Sequence, residues 1–177
     1  MSESAYSAAA AVYGMLVRSV PWGGRPQSGS AASATPLVQL WPAGGAFANA
    51  TFFRLRCEGA LLASAVRENG STRWAAVEAD LLADGSGSGA PVSFVLFAED
   101  WVGVAALTVV AAPGVAATLI EPGAFAVTGL VRGAAAAFFP SGASPPPAAF
   151  DVGVALGRNA SEANTWGSTF VYGGILS

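Results

Sequence analysis

Two close pairs of carboxylates, Glu78/Asp80 and Glu99-Asp100, are the groups in this chain best suited to acid–base work. Two carboxyl groups flanking a scissile bond perform glycoside hydrolysis, one as acid and the other as base or nucleophile, without help from histidine or lysine. That matters because the 177-residue sequence contains no histidine, and all eight of its cationic side chains are arginine. Without imidazole there is no triad base and no side chain that normally changes charge near neutral pH. Without lysine there is no Schiff-base nucleophile and no P-loop lysine. A hydrolase would therefore need Glu78, Asp80, Glu99 or Asp100 to line one cleft with a raised pKa. Their spacing gives a plainer reading. Glu78 and Asp80 alternate with Val77, Ala79 and Leu81, the pattern of a solvated strand face, and Glu99-Asp100 stands where a very apolar stretch gives way to a loop. No catalytic, cofactor-binding or metal-ligating residue is assigned, and the chain reads as a non-enzyme.

The remaining motifs lead the same way. The single cysteine, Cys57, excludes an internal disulfide and cannot alone make a structural zinc site. It falls with Phe53 and Leu55 on one face of an alternating strand and reads as an inert core thiol. Asp84-Gly85-Ser86-Gly87-Ser88-Gly89 lacks the lysine of a phosphate loop and the alternating Asp/Asn ligands of a calcium loop, so it reads as a flexible hairpin tip. Three asparagines, Asn49, Asn69 and Asn159, begin sequons that would carry glycans on surface loops of a secreted protein. The five tryptophans share no local spacing, and the Phe52-Phe53, Phe94/Phe97 and Phe138-Phe139 groups suit a core or a subunit contact better than a stacking platform.

Composition bounds the partners. Charged residues make up only 11% of the chain and apolar ones 53%, against roughly 25% charged in an ordinary soluble domain. Much of the exterior must then be Ala, Ser, Gly, Thr and Pro, as expected of a surface buried against other chains; a GC-rich genome gives the same bias. A net charge of −3 with scattered arginines argues against nucleic acid, which needs clustered cations. Trp101–Ile120 is uncharged and just long enough to span a bilayer. Its Pro113-Gly114 interruption instead predicts two strands joined at a turn. The N-terminus is a poor signal peptide, so the chain reads as soluble and made in the cytoplasm.

Stepping from groups to elements, Ala5–Val20 reads as a short helix or an arm lying on a neighbouring subunit, and Pro21–Pro36 as a loop. From Leu37 onward, short apolar stretches alternate with turn residues. The predicted strands are Leu37–Trp41, Thr51–Glu58, Ala60–Arg67, Trp74–Leu82, Val92–Ala98, Val102–Ala111, Ala116–Ile120, Phe125–Arg132, Phe150–Gly157 and Thr169–Leu176. Asn69-Gly70 is the best hairpin signal, since both residues tolerate positive φ. Thr72–Ala83 fits either helix or strand, and Ala134–Ala137 is compatible with helix. The expected fold is a mainly β, antiparallel sandwich, jelly-roll-like with an immunoglobulin-like alternative. Residues 1–36 form an N-terminal arm and linker, and residues 37–177 a single sandwich domain.

The function expected from this is structural: a virion coat or capsid-decorating subunit that packs against copies of itself or another shell protein, with no contact to nucleic acid or membrane. The alternative is an extracellular glycan- or protein-binding β-module, glycosylated at Asn49, Asn69 or Asn159.

Overall fold

The computed structural model describes residues 3–22, 35–80 and 90–141. Helix α1 (Glu3–Leu16) leads into β1 (Val17–Pro21), β2 (Pro36–Leu40), β3 (Ala50–Cys57), β4 (Leu61–Glu68), β5 (Ser71–Ala79), β6 (Val92–Ala98), β7 (Leu107–Val110), β8 (Ala116–Glu121), β9 (Ala124–Leu130) and β10 (Ala135–Pro140). These strands form two five-stranded sheets, ordered β1-β2-β6-β9-β8 and β3-β4-β5-β10-β7.

The inner faces of the two sheets meet in one core. Val38 and Leu40 of β2, Phe94 and Leu96 of β6, and Phe125 and Val127 of β9 pack with Leu61, Ala63, Ala75, Val77, Ala136 and Phe138 of the second sheet. Edge-to-face ring contacts tie the layers, with centroids 6.3 Å apart for Phe94–Phe138, 4.9 Å for Trp41–Phe52 and 6.1 Å for Trp101–Phe125. Each such side chain, fully buried, contributes about 1.5–3 kcal/mol.

The second sheet is buried on its other face too. Leu62 and Ser64 of β4, Ala76 of β5, and Ala137 and Phe139 of β10 are all buried there. Strands buried on both faces read as continuous apolar runs rather than alternations. This is why Ala134–Ala137, which suits a helix by propensity, is strand β10 from Ala135 onward, paired with β5 and β7. Tertiary pairing overrides a preference worth only tenths of a kcal/mol per residue.

Most of the expected elements are present, with four corrections. The ambiguous Thr72–Ala83 segment is strand through Ala79. The stretch Ala5–Val20 divides into helix up to Leu16 and a sheet strand from Val17, whose partners run from Leu40 to Pro36. The sheets are not wholly antiparallel: β2 and β6 run parallel, because the chain makes a full excursion through β3, β4 and β5 before it returns beside β2. Finally, β7 and β8 are joined through Pro113-Gly114 as expected, but they lie in different sheets. The expected strands Phe150–Gly157 and Thr169–Leu176, the tip Asp84–Gly89 and most of the loop Pro21–Pro36 lie outside the described residues.

Two hairpins fix β3, β4 and β5 as neighbours. Asn69 (φ 51°) and Gly70 (φ 77°) form the two-residue turn between β4 and β5, with Glu68 opposite Ser71. Left-handed conformation at both central residues matches the twist of the flanking strands.

Candidate functional site

The carboxylates singled out by their spacing do not converge. Asp100 follows β6 in a 3-10 turn (Glu99–Trp101) and receives the backbone N–H of Thr72, at the start of β5, on Oδ2. The Thr72 hydroxyl donates to Asp100 Oδ1 at 2.9 Å, and Trp101 Nε1–H points to the Thr72 carbonyl at 3.5 Å. This is an inter-sheet clasp, since β5 and β6 belong to different sheets. Glu78 and Asp80 lie at the other end of β5. Six to eight extended residues separate them from Thr72, a span of roughly 20–26 Å. The separations in paired-carboxylate hydrolases are below about 10 Å. These four groups therefore do not line one cleft.

Nor is the Glu78/Asp80 face solvated, as their alternation suggests: Glu78 is 6% exposed and Asp80 9%. They lie with Ser64 and Ala76 on the buried outer side of the second sheet, and each meets an arginine that reaches across β4 from β3. Arg54 straddles Glu78, with Nη2 donating to Oε1 at 3.3 Å and Nε 3.2 Å from Oε2, a charge contact off the hydrogen-bond axis. Arg56 Nη2 donates to Asp80 Oδ2 at 3.2 Å. The two pairs form a charged ladder across three strands. Near its end, Arg132 Nη1 donates to the carbonyls of Gly59 and Asp80. The exterior face expected for Glu78 and Asp80 is interior because β5 is an inner strand covered on both sides, and the ion pairs make the burial tolerable.

A bulge aims the ladder. The β3–β4 register shifts between Phe52 and Leu55, and Arg54 takes φ +49°. Its backbone N–H is caught by Ser64 Oγ at 2.8 Å. The extra residue reverses the alternation of β3. Phe52, not Phe53, is therefore buried in the core with Cys57, and Phe53 turns to the outer face, 6.4 Å from the Trp74 ring. The clue available in the sequence was the matched i, i+2 spacing of Arg54/Arg56 and Glu78/Asp80. Two successive hairpins would set these pairs one strand apart.

Cys57 is the buried thiol expected. Loss of hydration on burial pushes its pKa from 9.0 up to about 12, outweighing a hydrogen bond with Ser19. Burial likewise pushes the Tyr13 phenol up to about 12; its hydroxyl donates to the Arg56 carbonyl. The sign for stability follows from the unfolded thiol ionising first. The folded state holds its proton while the unfolded state releases one, so stability falls as pH rises from about 9 toward about 12. Urea midpoints taken across that range should decline less steeply for Cys57→Ala than for the parent chain. Parallel declines would show that the thiol is not a source.

Asn49 and Asn69 are exposed and adjacent, with Asn49 Oδ1 accepting the Asn69 backbone N–H at 2.9 Å. Asn159 lies outside the described residues. Apolar exposure is concentrated in two places. On α1, Val12, Tyr13 and Met15 face solvent, and every residue from Ala10 to Met15 is exposed. At one corner of the first sheet, Val102 is 60% exposed and Leu119 and Ile120 43% each. Among the described residues, no helix is long and apolar enough to cross a membrane. No family model, curated protein or solved structure matches the chain.

Proposed function

We propose that this chain is a non-enzymatic structural subunit, a virion coat or capsid-decorating protein. It would act by packing its surfaces against copies of itself or against another shell protein. The observation that carries this reading is the division of labour between polar and apolar groups. The carboxylates that could do chemistry are engaged within the fold, as ion pairs and a strand clasp, whereas the exposed apolar residues form two uncharged strips. Exposed contiguous apolar surface marks contact sites. The frequent passage of the chain between sheets, at β2–β3, β5–β6, β6–β7, β7–β8 and β9–β10, favours a jelly-roll-like sandwich over an immunoglobulin-like one.

The helix is the first strip to test. A 14-residue helix is marginal in water without a partner, and from Ala10 to Met15 it presents nothing but solvent-facing side chains. Anchoring begins at Leu16, whose carbonyl accepts the Trp41 N–H at 2.8 Å. A cut that spares β1 is therefore required. Light scattering on the full chain is expected to give a discrete oligomer, and removal of residues 1–15 a smaller species with its unfolding midpoint nearly unchanged. A full chain that stays monomeric at every concentration would overturn self-assembly.

One observation favours the second reading, an extracellular glycan- or protein-binding β-module. Asn49 and Asn69, both beginning sequons, are exposed side by side. Passage through a eukaryotic secretory pathway followed by endoglycosidase treatment tests it, a loss of mass being the supporting result.

A further inference from the structure

The two sheets end in four edge strands, and three of them are guarded. The β1 edge carries exposed Arg18 and ends in Pro21. The β3 edge is broken by the bulge at Arg54 and bears Arg56. The β7 edge is only four residues long. Charges, prolines, bulges and short length are the devices that keep an edge from pairing with another chain. The fourth edge, β8, has none over most of its length. It pairs with β9 alone among the described residues, and Ala116–Ile120 carries no charge while Leu119 and Ile120 stand exposed beside Val102. Its one irregularity falls between Leu119 and Glu121, so Ala116–Leu119 stays regular.

We infer that β8 pairs antiparallel with β8 of a second copy of this chain about a two-fold axis through Thr118, joining the two β1-β2-β6-β9-β8 sheets into one. This rests on the self-assembly reading above and names its contact. The occupant follows from the edge itself. Side chains alternate across a strand, and directly opposed residues must share a face, so a two-fold perpendicular to the sheet passes through a residue rather than between two. Thr118 is the middle of Ala116–Ile120. About that centre Ala117 faces Leu119 and Ala116 faces Ile120, a small side chain against a large one in every pair. The sole charge, Glu121, falls opposite Val115, so no like charges meet. Such a contact closes on itself and stops at a dimer. A larger shell then needs the α1 strip as a second contact, and the β8 pair is the species left when residues 1–15 are removed.

A cysteine at the axis tests this in the full-length chain. Directly opposed residues of an antiparallel pair have Cα atoms about 4.5–5.5 Å apart, within disulfide reach. The native Cys57 is buried and does not compete. With diamide taking up the two electrons and two protons, Thr118→Cys is expected to convert to a covalent dimer on non-reducing electrophoresis. Arg18→Cys, on the guarded β1 edge, is expected to stay monomeric on the same gel. Ile120→Lys should halve the mass found by light scattering. If the full chain assembles but Thr118→Cys gives no covalent dimer and Ile120→Lys keeps the parent mass, β8 pairing is wrong while self-assembly stands. If the full chain is monomeric throughout, both fail.

Discussion

Gly129→Ala is expected to cost about 3 kcal/mol or more and to lower the thermal midpoint by roughly 6–12 °C. Two causes add at this position. Gly129 lies within β9 at φ +83°, and a Cβ there would sit 2.0 Å from the Gly114 carbonyl oxygen and 2.9 Å from its carbon. Both atoms are backbone, so no side chain can swing aside. Relief requires the turn between β7 and β8 to lift away from β9, which strips pairing from the start of β8, where Ala116 faces Thr128. A control separates the causes. Gly103 also has positive φ, +95°, but a Cβ there meets nothing within 4 Å. Gly103→Ala should therefore show only the dihedral strain, about 1–2 kcal/mol. Urea unfolding of both variants gives the comparison, and equal costs would mean that the Gly129–Gly114 approach is not a tight contact. The expected difference also bears on assembly, because the same turn holds the β8 edge in place.

The elements that could be read in the sequence are those whose signals are local. Strand β6 is bounded as expected at Val92–Ala98, because a continuous apolar run with branched and aromatic residues follows Pro91. The Asn69-Gly70 turn is legible because its backbone demand is met by those two residue types. What escaped depends on partners distant in the chain. β10 hides in alanines whose own propensity is helical, and only burial on both faces makes small residues suitable there. β1 hides in the apolar segment that continues α1. The bulge in β3 requires the Ser64 hydroxyl on the neighbouring strand, so an unbroken alternation wrongly put Phe53 in the core instead of Phe52. The same holds for the surface. Residue types alone show that β8 is uncharged, but its place at a sheet edge is a property of the topology.

The largest effect is expected where the ladder is most buried. Glu78→Leu removes the carboxylate from Arg54, whose side chain is only 20% exposed, and strands a guanidinium on an inner face beside Ser64. Breaking one partner of a buried pair in this way costs about 3–5 kcal/mol, whereas replacing both partners with apolar groups is often neutral. The double variant Arg54→Met/Glu78→Leu should therefore recover most of the loss. The neighbouring pair is the internal comparison. Arg56 is 65% exposed on its side chain, water screens the charge, and Arg56→Met should cost no more than about 1 kcal/mol. Urea denaturation of the parent, the two singles and the double completes a thermodynamic cycle for Arg54 and Glu78. A Glu78→Leu variant as stable as Arg56→Met would show that Glu78 is not held in a desolvated pair. It would return that carboxylate to the pool of groups available for chemistry. A steep single loss rescued by the double change would instead mean that the ladder serves the fold. The acidic pair best placed by its spacing to act on a substrate would then act on Arg54 and Arg56.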